Sequence, residues 1–193
     1  MSQTQHNTTD NKLIAYEVAG NGPPLLLLHG FPQTRAMWRP LVPKLAKRFT
    51  VMTADLRGYG QSSKPATIPE MSFRLMAQDM VSLMASLGFD QFHIVGHDRG
   101  ARTAHRMALD HPESIKSLTV MDIVPTEYLL THMTTEIAKA YYHWLFLAQP
   151  EPFPETLIGH DPDSYFERCL PGLGKSCLWV FHTYHLPKYR PAW

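Results

Sequence analysis

Residues 93–102 read HIVGHDRGAR, an apolar run that stops at a glycine, sets one aspartate between small residues and follows it with arginines. In Gly96-His97-Asp98-Arg99-Gly100-Ala101 the small residues flank Asp98 in the layout of a nucleophile elbow, a strained strand-to-helix turn that exposes its central side chain. A serine there performs acyl transfer; an aspartate attacks saturated carbon and forms an ester. The helix that follows offers positive potential and free N–H groups to an anion at its start. A simpler role for Asp98 is to cap that helix, as aspartates often do. Capping leaves Gly96 and Gly100 unexplained, and also Arg99 and Arg102, cations in a first turn where they oppose the helix dipole. At i and i+3 the two guanidiniums share a face and can grip a planar carboxylate; the alternative is ion pairing with Asp55 or Asp98.

Such a turn needs a strand before it and a helix after it, and the flanking sequence supplies both. KLIAYEV alternates like a strand, while PLLLLHG, FTVMTADLRG, FHIVGHD and SLTVMDIV are continuous apolar runs typical of buried strands. Helices fit between them at about 36–48, 72–87 and 99–110. This alternation predicts a mostly parallel sheet flanked by helices, whose ligands lie beyond the carboxyl ends of the strands. The residues there are His29-Gly30-Phe31-Pro32, Asp55, Asp98 and Asp122. From Pro125 onward the texture becomes aromatic and proline-rich, which predicts a helical lid. The domain reading is a disordered tail at 1–11, an α/β core at 12–125 and a partial helical cap at 126–193.

Composition narrows the partners. Eighteen Lys+Arg against seventeen Asp+Glu give a formal charge of +1, and without a basic run there is no nucleic-acid footprint. A small molecule is the expected partner. No apolar stretch approaches membrane-spanning length, and the first residues lack the layout of a secretory signal, so the cytoplasm is the expected location. Cys169 and Cys177 are the only cysteines, which implies no disulfide framework. With His182 and His185 they form a cluster whose spacing does not suit zinc, and no metal or cofactor is expected.

The segments HGFPQTRAMW (29–38), ADLRGYGQSSKP (54–65), VGHDRGARTAHRMALDHP (95–112), VMDIVPT (120–126) and YHWLFLAQPEPFPE (142–155) together resemble the α/β-hydrolase superfamily, and specifically the haloacetate dehalogenases. The first two segments suit any α/β hydrolase; the Asp-Arg-x-x-Arg set, the later Asp and the His-Trp pair are more specific. The resemblance implies an α/β-hydrolase fold with a helical cap. It also implies that Asp98 displaces halide from a haloacetate, that Arg99 and Arg102 hold the substrate carboxylate, and that Asp122 orients a catalytic histidine. His143 and Trp144 would donate to the departing halide, and the backbone N–H groups of Phe31 and Arg99 would form an oxyanion hole. His29 belongs to the loop that shapes this hole and is not read as the base; His97 is expected to point into the sheet. Epoxide hydrolases share the aspartate elbow, but typically follow it with Trp where this chain has Arg99.

The family order is nucleophile, acid, then a histidine near the C-terminus after two more strands. His182 and His185 do not replace it, so the chain is expected to correspond to the N-terminal two-thirds of a dehalogenase, inactive as it stands. A non-catalytic product that binds small carboxylates is the other alternative. The resemblance also implies a homodimer for the full-length protein.

Overall fold

The computed structural model describes residues 4–8 and 10–169. They fall into two compact units that divide between Ile123 and Val124. The first unit holds strands β1 (Thr4–Asn7), β2 (Leu13–Ala19), β3 (Pro24–Leu28), β4 (Thr50–Ala54), β5 (Phe92–His97) and β6 (Ile115–Met121). Its α-helices are α1 (Val42–Leu45), α2 (Phe73–Ser86) and α3 (Arg99–Asp110). The strand order is β1-β2-β4-β3-β5-β6; the β4-β3-β5-β6 neighbours pair in parallel, while β2 meets β1 and β4 antiparallel. The second unit contributes α4 (Thr126–Thr131), α5 (Thr135–Ala140), α6 (Tyr142–Leu147), α7 (Phe153–His160) and α8 (Pro162–Cys169).

The apolar runs become strands because both faces of the central sheet are covered. On one face Leu26, Leu28, Met52, Ala54 and Ile94 pack with Met76, Met80, Leu83, Ala104 and Met107 from α2 and α3. On the other, Leu25, Leu27 and Val51 pack with Trp38 and Val42. Each Leu, Ile, Val or Met side chain among these contributes about 1.5–3 kcal/mol when removed from water. Ser72 starts α2 as its N-cap, accepting from the Leu75 N–H at 3.4 Å.

Two expectations need correction. Residues 4–7 are not a disordered tail: they form β1, which pairs with β2 through four ladder positions, and His6 Nε2 lies 3.0 Å from Ser82 Oγ. Backbone pairing there compensates for a composition with no apolar alternation. The expected helix at 36–48 is broken into a 3-10 turn at Arg35–Trp38 and the four-residue α1, because Pro40 and Pro43 remove backbone donors and crowd the preceding turn. Strand β6 carries an apolar run of the kind that buried strands have. It lies at the end of the strand order, where among the described residues it pairs with β5 alone, leaving Leu118, Val120 and Met121 exposed. The β5–β6 register also slips once at its start: Phe92 faces Ile115, yet His93 faces Ser117, so Lys116 is an extra residue on β6.

Buried polar groups clamp the loops beyond β3 and β4. Asp55 accepts from the Arg35 and Gln61 backbone N–H groups at 2.7 and 3.1 Å and pairs with the Arg35 guanidinium. Arg57 forks onto Asp79 of α2 at 2.6 and 2.5 Å and reaches Asp10 at 3.0 Å. His29, fully buried, joins the two loops. The Leu56 N–H donates to its Nε2 at 3.0 Å, so that nitrogen carries no proton, and Nδ1–H donates to the Gly30 carbonyl at 2.9 Å. Both nitrogens are thus engaged in one neutral tautomer.

Burial pushes the His29 imidazole below its ordinary value of 6.5, against the smaller pull of the Asp55 carboxylate. Below pH 6.5 the unfolded chain therefore takes up a proton that the folded chain refuses. Stability is present in full above that pH and falls as pH drops through it, by up to about 1.4 kcal/mol per pH unit. His6, also lowered by burial, acts in the same direction. Denaturant unfolding at pH 7 and 5.5 measures the loss, and nitrogen NMR of the imidazole should show the Nδ1–H tautomer at pH 6. A doubly protonated His29 in the folded chain at that pH would contradict this account.

Candidate active site

Strand β5 passes into α3 through Asp98, whose backbone sits at φ 47°, ψ −114°. For a residue with a Cβ this conformation costs on the order of 1–3 kcal/mol. The neighbours show what the turn requires. A Cβ on Gly100 would stand 2.5 Å from the His29 carbonyl oxygen, and one on Gly96 would stand 2.6 Å from the Ala101 Cα. Helix α3 thus crosses β3 and β5 at backbone contact, which only glycine permits at these two positions.

The Asp98 carboxylate makes no side-chain cap to α3. Its Oδ1 instead accepts the backbone N–H of Phe31, 67 positions earlier in the chain, at 2.8 Å. The helix-cap alternative therefore does not describe this aspartate. Two elements meet here because β3 and β5 are adjacent parallel strands, with Leu28 opposite Gly96. The residues after both strands emerge at the same edge of the sheet.

Arg99 and Arg102 occupy the first turn of α3, with Arg102 only 4% exposed. Asp55, one partner considered for them, is held by Arg35. Among the described residues Arg99 has no carboxylate at ion-pair distance; its guanidinium lies over the Phe73 ring, 4.9 Å from the centroid. Asp122 follows β6 at φ 59°, its side chain largely exposed. It stands beside the elbow because the Asp98 N–H donates to the Met121 carbonyl at 3.1 Å, one step beyond the His97–Met121 pair. His97 Nε2 lies 3.5 Å from Asp122 Oδ2.

Tyr59 and Phe73 also border the site, and no motif in the sequence points to them. Tyr59 meets the His29 ring edge-on at 5.2 Å. Burial pushes its hydroxyl above the ordinary phenol value; Arg99 opposes and Asp98 adds to the rise, which places Tyr59 within the field of both charges. No spacing rule could single out either residue, because both act through tertiary contacts. His143 and Trp144 are neighbours on α6 in the second unit, where Tyr141 stacks on His143 at 6.2 Å and meets Trp144 edge-on at 5.5 Å. Cys177, His182 and His185 lie outside the described residues. Among the described residues no group of three or more His, Cys, Asp or Glu side chains is placed to hold a metal ion. No helix among them is long and apolar enough to cross a membrane.

Comparison with known proteins agrees with this architecture. A fluoroacetate dehalogenase from Burkholderia sp. is 54% identical over 179 residues, which is 91% of this chain and 59% of that protein. A soluble epoxide hydrolase from Corynebacterium sp. (strain C12) is 36% identical over 156 residues, covering 80% of this chain and 54% of that protein. The chain thus spans little more than half the length of these relatives. Among solved structures, an α/β hydrolase from Nostoc sp. PCC 7120 superposes with a TM-score of 0.94 at 50% identity, over 99% of this chain and 66% of that one. The profile of the α/β-hydrolase fold family matches residues 23–178, and with the sheet order and the aspartate elbow this places the chain in the α/β-hydrolase fold family.

Proposed function

We propose that the protein serves hydrolytic dehalogenation, converting a haloacetate and water to glycolate and halide. An oxygen of the Asp98 carboxylate attacks the α-carbon, the carbon–halogen bond breaks, and the halide leaves with the bonding pair. An ester now joins Asp98 to the carboxymethyl group. Water adds to the side-chain carbonyl carbon of that ester while a general base takes its proton, and glycolate departs, leaving one water-derived oxygen on Asp98.

The observation that carries this reading is the 2.8 Å hydrogen bond from the Phe31 N–H to Asp98 Oδ1. It ties one carboxylate oxygen to a donor suited to the oxyanion of ester hydrolysis, which frees the other to attack. The Arg99 backbone N–H is the second donor proposed for that hole. Arg99 and Arg102, on one face of the first turn, are proposed to hold the substrate carboxylate. Asp122 is proposed to orient the base. His29 is not that base, since both of its nitrogens hold backbone groups, and no base is assigned among the described residues. The halide role of His143 and Trp144 rests on the family resemblance alone. The 54% identity to a fluoroacetate dehalogenase supports the choice of substrate.

Epoxide opening is the second reading, supported by the 36% identity to a soluble epoxide hydrolase. It uses the same carboxylate attack but needs no grip on a substrate carboxylate, so the arginine pair favours the haloacetate.

Two experiments test the proposal. Active protein from which the general base has been removed by substitution should, on incubation with bromoacetate, gain one carboxymethyl group that mass spectrometry maps to Asp98, and Asp98→Asn should gain none; a single turnover of active protein in heavy-oxygen water should label Asp98 before glycolate. Label that enters glycolate directly, with Asp98 neither alkylated nor labelled, would show that water attacks the substrate itself. In active protein, Arg102→Lys should lower kcat/KM for haloacetate roughly 10- to 100-fold, because a point charge does not reproduce a fork worth about 1.5–3 kcal/mol. Halide release measures this, and an unchanged kcat/KM would remove Arg102 from substrate binding.

A further inference from the structure

The first unit treats its inward-facing arginines differently. Arg35 and Arg57 each hold a carboxylate, Asp55 and Asp79: Arg57 forks onto its acid through two nitrogens, while Arg35 reaches Asp55 through one terminal nitrogen and has its Nε 3.5 Å from Glu17. Arg99 has an aromatic ring where they have an acid: its guanidinium carbon lies 4.9 Å from the Phe73 centroid, and its buried Nε has no hydrogen-bond partner among the described residues. A guanidinium binds a ring through its face and an anion through its edge, so stacking restrains the side chain without consuming a donor.

The position of Phe73 is itself fixed. It opens α2 directly after the Ser72 cap and packs against the main core cluster. One turn further along both helices, the Thr103 hydroxyl of α3 lies 3.8 Å from the Met76 sulfur of α2, and both residues are fully buried. The packing of α2 on α3 at this point keeps Phe73 beside Arg99.

We propose that Phe73 is a positioning residue for carboxylate recognition: its ring holds the plane of the Arg99 guanidinium so that the edge donors stay free for the substrate carboxylate. This rests on the assignment of Arg99 to the carboxylate made above. Phe73 also packs against the core, so the test must separate the ring from the volume it fills.

Acetate, a carboxylate without a leaving group, is the probe, titrated into the 193-residue chain while the Arg99 Nε–Hε signal is followed by NMR. In the unsubstituted chain the Hε line should lie upfield through the ring current and shift on acetate binding. Phe73→Leu should abolish the upfield displacement and weaken acetate binding about 3- to 30-fold. Phe73→Tyr and Phe73→Trp keep a ring and should stay within about twofold of the unsubstituted chain. Binding by Phe73→Leu as tight as in the unsubstituted chain overturns the assignment of Phe73 and leaves that of Arg99 standing. An Arg99 signal that ignores acetate in the unsubstituted chain overturns the carboxylate role of Arg99 and the assignment of Phe73 with it. Should Phe73→Leu not fold, the ring-retaining pair decides: upfield Hε lines with binding kept support the proposal, and binding lost in both despite those lines overturns it.

Discussion

Helix α3 lies against β3 and β5 at a distance that leaves no room for a Cβ at Gly96 or Gly100, and the geometry of the candidate site depends on that approach. It turns the chain so sharply that Asp98 takes up a positive φ. It also brings the carboxylate over the end of β3, within reach of the Phe31 N–H. The strain is tolerated because the surroundings over-determine the turn: β5 is held between two parallel neighbours, and α3 is packed on α2 through Met76, Met107 and Ala104.

The allocation of charge in the first unit follows one rule. Carboxylates such as Asp55 and Asp79, buried with an arginine each, join loops to helices; breaking such a pair leaves an uncompensated charge in the interior. Asp98 is held differently, by a backbone donor, and Arg99 by an aromatic face. Neither arrangement neutralises the charge it positions. The groups assigned to structure and those assigned to chemistry are thus distinguished by what their partners leave available.

The elements that carry the site were legible in the sequence because their signals are local. Apolar runs marked β3 through β6, the stretch between two such runs marked α2 at about 72–87, and the small residues around Asp98 marked the turn. What escaped lacked a local signal. β1 has no apolar alternation and exists because β2 offers it an open edge. The split of the helix expected at 36–48 was available in Pro40 and Pro43, whose effect outweighs the periodicity around them. The contact of Phe73 with Arg99 and that of Tyr59 with His29 join residues far apart in the chain, and nothing in their own neighbourhoods announces them.

The register of β6 bears on which insertions and deletions this architecture tolerates. Asp122 reaches the elbow by counting residues along a ladder that runs from the His93–Ser117 pair to His97–Met121 and ends with the Asp98 N–H on the Met121 carbonyl. Deleting one residue within that stretch would reverse the side-chain alternation and set a different residue beside His97. The bulge at Lys116 lies upstream of the ladder, so a length change there shifts nothing that follows. Loops before Ile115 and after Asp122 can likewise vary in length. Relatives of different length should therefore keep the count from Ser117 to Asp122 constant, with their gaps falling on either side of it.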